Sequence, residues 1–389
     1  MQRLSFELLE DLSSGILLKP AIADLRTFMF ESARRRRGLL PVKVAAVTGS
    51  AGKTTVKEIL GHLLKGAFIS PANQNTKLAL ALQILRLPEE QSTAVFEIGA
   101  RRLGDFQTPL SYVRPDVVTL LNIGRAHVGE FGSLENLILE KLSPLSFESV
   151  HTLVIPAEDD RITKHARAQG KSLITFGTNP AADIELIRES ADGVYLKIRK
   201  ESVFIECPFR GPQKGLNIAA AIATVVALGV PVQDITRRLT GFRGVERRFQ
   251  AFNWQSRLAI DDAFNASPES MREGLRHLLT QTKNMKILLV LGTMLELGSS
   301  SESEHRKLGT YIGAVFSETI AAGLLTLITV DAEARFLTED NATGLPKERI
   351  HHFATALEAK ATVESLAKQA DVVYFKASKG IQLNKIFSS

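Results

Sequence analysis

An apolar run, Val44-Ala45-Ala46-Val47, passes into Thr48-Gly49-Ser50-Ala51-Gly52-Lys53-Thr54-Thr55, and that into a pattern with Ile59, Leu60, Leu63 and Leu64 on one face. The run reads as a buried strand and the spacing after it as an amphipathic helix. A strand, a tight glycine turn and a helix N-terminus form a phosphate cradle, because glycines let backbone N–H groups approach the oxygens and the helix end adds favourable partial charge. Residues Gly49, Ser50, Ala51, Gly52 and Thr55 would line the cradle, Lys53 would reach the terminal phosphates, and the Thr54 hydroxyl is placed for Mg²⁺. The strict phosphate-loop spacing asks for glycine where Val47 stands, so Gly-x-x-Gly-Lys-Thr-Thr is a compact variant.

From Val42 onward strand and helix patterns alternate, as in a parallel sheet covered by helices. One strand pattern, from Thr93, ends in Glu97; another, from Asp116 to Ile123, is followed by Gly124-Arg125-Ala126-His127. Ligand contacts in open α/β sheets lie just beyond the carboxyl ends of strands. Thr54, Glu97 and His127 all fall there, which predicts one shared Mg-nucleotide site. A polar turn over 72–77 leads into a helix over 78–85, and a helix from about Ser133 carries Lys141. Alternation over 184–187, 193–199 and 203–207 predicts an antiparallel addition, followed by an alanine-rich helix over 218–228. Gly241-Phe242-Arg243-Gly244 reads as a hinge, after which strands are expected over 258–260, 287–291, 325–330 and 372–375.

The predicted fold class is therefore α/β. A P-loop-type central parallel sheet domain with helices on both faces would span 41–245, and a smaller Rossmann-like α/β domain 246–389. Residues 1–40 read as a short helical segment, with Leu4, Leu8 and Leu9 on one face and Ile22, Leu25, Phe28 and Phe30 in a second apolar patch that packs on the central domain.

Composition narrows the function. A chain of 389 residues is long for one core, and its 44% hydrophobic and 23% charged residues are those of an ordinary globular protein. No apolar run approaches the ~18 residues of a membrane helix, and the first residues are acidic where a signal peptide is basic and then apolar, so a cytoplasmic location is expected. The single Cys207 rules out an intrachain disulfide and a cysteine-based metal cluster. The formal charge of +6 and the basic run at 34–37 raise a nucleic-acid reading, but aromatics are only 6% and the basic pairs are scattered. Small anionic substrates are the expected partners, with neither nucleic acid nor membrane.

Several motifs in one order resemble the Mur ligase family. They are Thr48 to Glu58; Phe96-Glu97-Ile98-Gly99-Ala100; Asn122-Ile123 with Ala126-His127; Phe131-Gly132-Ser133; and Asp261-Asp262-Ala263-Phe264-Asn265-Ala266-Ser267-Pro268-Glu269-Ser270-Met271. The last, with Gly292-Thr293-Met294-Leu295-Glu296-Leu297-Gly298, is most similar to the MurF branch, and the resemblance covers roughly 24–389. It implies ATP-dependent amide formation with Mg²⁺: a substrate carboxylate is phosphorylated and an amine attacks the acyl phosphate. It implies Lys53 at the terminal phosphates, Thr54 and Glu97 at one Mg²⁺, His127 at a second, and Lys141 as the family's carbamylated lysine beside the metal. It further implies Asn217 at adenine, Arg248 at the phosphates, and Asp262 and Asn265 at the nucleotide. Asn73, Asn75, Arg101, Arg102, Ser378 and Lys379 are the candidate substrate contacts. Taken singly, each has a plainer alternative: a helix cap for Glu97, a structural histidine for His127, a solvated amine for Lys141, a surface pair for Arg247-Arg248 and a turn for Asp261-Asp262.

Substrate positions depart from the family pattern more than nucleotide positions do. The family run Asn-x-Asn-Asn-x-x-Gly-x-Pro reads Asn73-Gln74-Asn75-Thr76-Lys77-Leu78-Ala79-Leu80-Ala81; Gly-Ala-Asn-His reads Gly99-Ala100-Arg101-Arg102; Gly-Asp-Met reads Gly292-Thr293-Met294. Glycine-x-histidine reads Gly211-Pro212-Gln213, and the glutamate two residues after the carbamylated lysine is Ser143. Only a short helical segment precedes the cradle, where MurF-type enzymes carry a UDP-binding domain. The expectation is a MurF-like ligase joining D-Ala-D-Ala to a muramoyl tripeptide. Two alternatives stay open: the same mechanism on another carboxylate and amine, as in folylpolyglutamate- and cyanophycin-type relatives, and a non-catalytic nucleotide-binding regulator or scaffold of cell-wall enzymes.

Overall fold

In strand β1 (Lys43–Thr48) every residue after Lys43 is buried. Ala45 and Val47 enter one hydrophobic core while Val44 and Ala46 enter another. That two-sided burial is why the run is continuously apolar rather than alternating. The computed structural model describes residues 19–72, 74–124, 128–190, 192–199, 201–207, 209–231 and 235–388.

The strands after β1 are β2 (Phe68–Ile69), β3 (Thr93–Glu97), β4 (Val117–Leu120), β5 (Thr152–Pro156), β6 (Ser172–Gly177), β7 (Ile184–Glu189), β8 (Gly193–Ile198) and β9 (Glu201–Glu206). They form a nine-stranded sheet ordered β2-β3-β1-β4-β5-β6-β7-β8-β9. Pairing is parallel from β2 to β7 and antiparallel across β7, β8 and β9. On one face the helices Lys53–Leu63 and Lys214–Ala227 share a core with the sheet. The other face is covered by Lys19–Leu39, Lys77–Arg86, Gln107–Val113 and Leu134–Leu142.

A second, six-stranded sheet comprises β10 (Gln250–Trp254), β11 (Arg257–Asp261), β12 (Ile287–Gly292), β13 (Leu325–Val330), β14 (Ile350–Phe353) and β15 (Val372–Lys376), ordered β10-β11-β15-β12-β13-β14. Only the β10–β11 pair is antiparallel. Leu289 and Leu291 face one core, Leu288 and Val290 the other. The fold is thus the expected α/β arrangement with two sheets.

Three strands escaped the sequence: β2, β10 and β14. Each is short and lies at a sheet edge, where one-sided exposure erases the apolar run. The expected patch on the first helix also differs. Leu25 and Phe28 are exposed, whereas Phe30 stacks on Tyr112 at 5.5 Å between ring centroids and Ala33 is fully buried. Leu4, Leu8 and Leu9 lie outside the described residues. No helix among the described residues is long and apolar enough to cross a membrane.

Candidate active site

The glycine turn between β1 and the helix Lys53–Leu63 is held in shape by Asn122, just past the end of β4. Its Oδ1 accepts from Ser50 N (3.0 Å) and Ala51 N (2.9 Å), and its Nδ2 donates to Ala51 O (3.2 Å). Ser50 Oγ accepts in turn from Gly124 N (2.9 Å). Gly52 caps the helix at φ 85°, in the left-handed region that side chains avoid, and a Cβ there would lie 2.5 Å from Asn217 Oδ1. Lys53 Nζ donates to Gly49 O (2.7 Å) and Ser50 O (3.2 Å), folding back over the turn. Burial lowers its pKa, with Glu97 acting against that and Arg248 adding to it.

Thr54, Glu97 and Arg248 meet at the carboxyl ends of β1 and β3. Thr54 Oγ1 donates to Glu97 Oε2 (2.8 Å), and Arg248 Nη2 donates to Thr54 Oγ1 (3.0 Å). Asn75 Nδ2 donates to Glu97 Oε1 (2.9 Å). Glu97 is thus a buried carboxylate whose direct side-chain partners are a neutral hydroxyl and a neutral amide. Arg248 reaches across from the segment leading to the second sheet, its guanidinium 4.4 Å from the centroid of the Phe264 ring. Its Nε is buried and without a partner among the described residues. Burial also lowers the Arg248 pKa, against the pull of Glu97, Asp262 and Glu58.

Lys57, unremarkable in the sequence, underlies this group. Its ammonium is fully buried, donates to Ser70 O (2.8 Å) and Ala72 O, and pairs with Glu58. Ser70 Oγ accepts from Glu97 N (3.0 Å), so one lysine pins the loop from which both Ser70 and Asn75 reach Glu97. A lysine on the otherwise apolar face of a predicted helix was the available signal.

Lys141 is buried near the cradle with one long hydrogen bond, to Ala100 O (3.4 Å), and with Phe106 and Phe131 rings 5.6 and 5.8 Å from its nitrogen. Burial, reinforced by Lys53, lowers its pKa to about 7 against Glu140 and Asp105, so the neutral amine is well populated near neutral pH. The neighbouring Glu140 accepts from Gly104 N (2.6 Å) and Phe106 N (2.7 Å), tying the loop after Ala100 to the Lys141 helix.

Beside the cradle opens a cavity of about 560 Å³. Leu121, Ile123, Pro156, Phe176 and Leu216 supply apolar walls, with Asn217 and Gln213 among its polar groups. A compartment of that size and character, joined to a phosphate cradle, suits a planar base.

The remaining predicted residues divide. Asp262 is buried and fully engaged: Oδ2 accepts from Lys376 Nζ (2.6 Å) and Tyr374 OH (2.8 Å), Oδ1 from Phe249 N (3.2 Å). It anchors the backbone next to Arg248. Asn265 is exposed. Arg101 and Arg102 are exposed on a turn whose N–H groups Asp105 accepts, and Arg101 Nη2 reaches Glu296 Oε1 (3.1 Å) beyond β12. Ser378 is buried, its Oγ accepting from Leu295 N (2.9 Å), while Lys379 is exposed. Thr55 is partly buried in the first turn of the cradle helix. Asn73 and His127 lie outside the described residues. Among the described residues no three His, Cys, Asp or Glu side chains cluster to hold a metal.

Known proteins match this chain in sequence and in fold. Residues 47–225 match the Mur ligase middle domain and 247–379 the Mur ligase glutamate ligase domain. UDP-N-acetylmuramoyl-tripeptide–D-alanyl-D-alanine ligase from Bacillus subtilis is 29% identical over 372 residues, covering 94% of this chain and 79% of that protein. A crystal structure of MurF from Acinetobacter baumannii aligns with a TM-score of 0.80 at 29% identity, covering 93% of this chain and 79% of that one. The MurF ligase from Thermotoga maritima, solved in complex with ADP, aligns with a TM-score of 0.78 at 26% identity, covering 93% and 82%. With one family model on each sheet and MurF structures following both, the chain belongs to the Mur ligase family.

Proposed function

We propose that this Mur ligase joins D-alanyl-D-alanine to a UDP-N-acetylmuramoyl tripeptide at the expense of ATP. The observation that carries this is the Lys53–Thr54–Glu97–Arg248 constellation, in a chain that matches MurF ligases along both sheets. In such a reaction the terminal phosphoryl group passes to the tripeptide carboxylate. The dipeptide amine then attacks the acyl phosphate, forming the amide and releasing phosphate.

The roles assigned to individual residues follow from their surroundings. Gly49, Ser50, Ala51, Gly52, Lys53 and Thr55 form the phosphate cradle; Asn122 fixes the shape of the turn through the Ser50 and Ala51 N–H groups, and Lys53 Nζ exchanges its bonds to Gly49 O and Ser50 O for phosphate oxygens on binding. Arg248 supplies a second cation, and its unpartnered Nε is a buried donor awaiting an anionic oxygen. Asp262 holds Phe249 and hence the position of Arg248, and exposed Asn265 is left to reach the nucleotide. Mg²⁺ fits the donors present: the Thr54 hydroxyl and the Glu97 carboxylate are hard oxygens 2.8 Å apart, and among the described residues no cationic side chain is hydrogen-bonded directly to the carboxylate. When bound, the ion neutralises phosphate charge. Thr54 and Glu97 would hold it, together with His127 and with Lys141 if carbamylated.

Lys141 suits carbamylation because its amine is buried, poorly hydrogen-bonded and substantially neutral near pH 7. The carbamate would exchange an awkwardly buried cation for an anion beside the metal. Asn73, Asn75, Arg101, Arg102, Ser378 and Lys379 remain the proposed substrate contacts. We place the domain boundaries at 40 and 245; the second is supported by the absence, among the described residues, of any strand shared between the two sheets, whereas Ala33 and Leu40 share the core of the nine-stranded sheet. We also propose a cytoplasmic site of action and a cell-wall enzyme as a partner.

The test is phosphate release from Mg-ATP with D-Ala-D-Ala, with and without UDP-muramoyl tripeptide. Release that requires both substrates, and that Lys53→Ala abolishes with the fold intact, is expected. Turnover unchanged in Lys53→Ala refutes the assigned site, and release indifferent to either substrate refutes the reaction.

A further inference from the structure

Phe249 occupies a backbone conformation that bulky side chains avoid. Its φ is 53°, and Arg247, two residues earlier, stands at φ 58°, so Arg248 is bracketed by two residues in the left-handed region. For an aromatic residue this is an outlier, and it persists only where the surroundings over-determine it. Arg247 is held through its guanidinium, which donates to Ala263 O (2.6 Å) and lies 3.5 Å from Asp261 Oδ2. Phe249 N donates to Asp262 Oδ1 (3.2 Å), which fixes the backbone but not the ring.

The ring is held by a different element. It is buried, edge-to-face with His277 at 4.8 Å and tilted against Tyr374 at 5.7 Å between centroids. His277 lies on the helix Pro268–Gln281 midway between Glu273 and Gln281, and four-residue spacing puts the three on one helix face. That face meets the segment leading into the helix Lys214–Ala227. Gln213 Nε2 donates to Glu273 Oε1 (2.8 Å), and Arg210 Nη1 donates to Gln281 Oε1 (3.4 Å). Arginine only donates, so Gln281 turns its oxygen to Arg210 and its Nε2 to His277 Nε2, 2.7 Å away. His277 therefore accepts at Nε2, as the neutral ring with its proton on Nδ1. Burial, with Lys214 and Arg210, lowers its pKa against the pull of Asp262 and so preserves that neutral form.

We infer that His277 is a positioning residue for Arg248: its ring keeps Phe249 in the left-handed backbone that aims the guanidinium at Thr54, and its bond to Gln281 ties that aim to the contact between the two sheets. This rests on the reading of Arg248 as the second phosphate cation and adds to it what holds the cation in place. Without the ring support Phe249 relaxes toward ordinary backbone. Arg248, one residue away, then turns from Thr54 Oγ1, which its Nη2 meets at 3.0 Å. His277→Leu keeps apolar bulk and removes both the ring edge and the acceptor. His277→Gln removes the ring but keeps an acceptor for Gln281.

The full-length protein is titrated by calorimetry, in Mg²⁺, with ADP and with the non-hydrolysable β,γ-imido analogue of ATP. The unmodified chain is compared with Arg248→Ala, His277→Leu, His277→Gln and the Arg248→Ala, His277→Leu double variant. Arg248→Ala should weaken the triphosphate analogue about tenfold more than ADP, as the loss of a charge-assisted hydrogen bond does. His277→Leu should lower the same affinity ratio about fivefold and His277→Gln somewhat less, while the double variant falls no further than Arg248→Ala alone, because a residue that acts through another adds nothing once that one is gone. A merely structural role weakens both nucleotides together. An unchanged ratio in His277→Leu, or a further fall in the double variant, therefore overturns the inference. Should His277→Leu fail to fold, His277→Gln carries the same comparison. A ratio unaltered in Arg248→Ala overturns the placement of Arg248 and the inference with it, whereas phosphate release indifferent to both substrates, with these ratios as expected, overturns the ligase reading alone.

Discussion

Lys57→Met probes how the carboxylate at the centre of the site is held. Methionine is close to lysine in length and suits the apolar surroundings, so packing is largely conserved. What disappears is a fully buried ammonium that satisfies Ser70 O and Ala72 O. Hydrogen bonds from a charged donor are worth roughly 1.5–3 kcal/mol each, so two give about 3–6 kcal/mol. Relief from burying the ammonium offsets part of this, leaving a net loss on the order of 2–4 kcal/mol. The loss should be confined to the nine-stranded sheet. The single tryptophan, Trp254, lies in β10 of the other sheet and reports it separately. Urea unfolding followed by far-UV circular dichroism should shift to lower denaturant by about 1 M or more, while the Trp254 fluorescence transition stays in place. With Ser70 and Asn75 loosened around Glu97, the Mg²⁺ concentration for half-maximal phosphate release should rise about tenfold, the equivalent of one lost hydrogen bond to a charged group. A variant with unaltered circular dichroism midpoint and Mg²⁺ dependence would refute the idea that Lys57 organises the loop.

Three further outcomes are expected. Gly52→Ala puts a Cβ 2.5 Å from Asn217 Oδ1 at φ 85°; rotation of Asn217 relieves the clash but not the backbone, so about 1–2 kcal/mol of stability should go. Its ADP affinity, read by calorimetry, should fall at least tenfold, and wild-type affinity contradicts the cradle assignment. Lys141→Ala should lose ligase activity, with partial rescue by added short-chain carboxylates; full activity in the alanine variant disproves the carbamate. His305 is buried, accepts from Met294 N at Nε2 (3.0 Å), and has its pKa lowered by burial. Its folded-state pKa lies below the unfolded value, so the stability it contributes is complete above about pH 6.5. That stability is lost as acid protonates the unfolded chain first. His305→Gln should flatten the decline of urea stability between pH 7 and 5, and parallel curves for the two proteins would contradict this.

Local pattern and global placement divided the information unevenly. The cradle was legible because its parts are contiguous: an apolar strand, two glycines, a lysine, a threonine and a helix, each imposed by short-range sterics. The central strands were legible because burial on both faces leaves unbroken apolar runs, and Glu97 stood out as a carboxylate at the end of one. Edge strands β2, β10 and β14 carry no such run, and their existence depends on a neighbour's hydrogen bonds. Leu25 and Phe28 show the converse, apolar residues that the packing of the first helix leaves outside. The contacts that complete the site join residues far apart in sequence: Asn122 on the cradle N–H groups, Lys57 under the Asn75 loop, Arg248 on Thr54, and Asp262 bound to Lys376 instead of exposed. Residue types announced a glycine turn between strand and helix, and where along the chain it lies. Which side chain holds another in place was decided only when the two sheets came together, because hydrogen bonding and burial depend on distance in space, and sequence separation carries no trace of it.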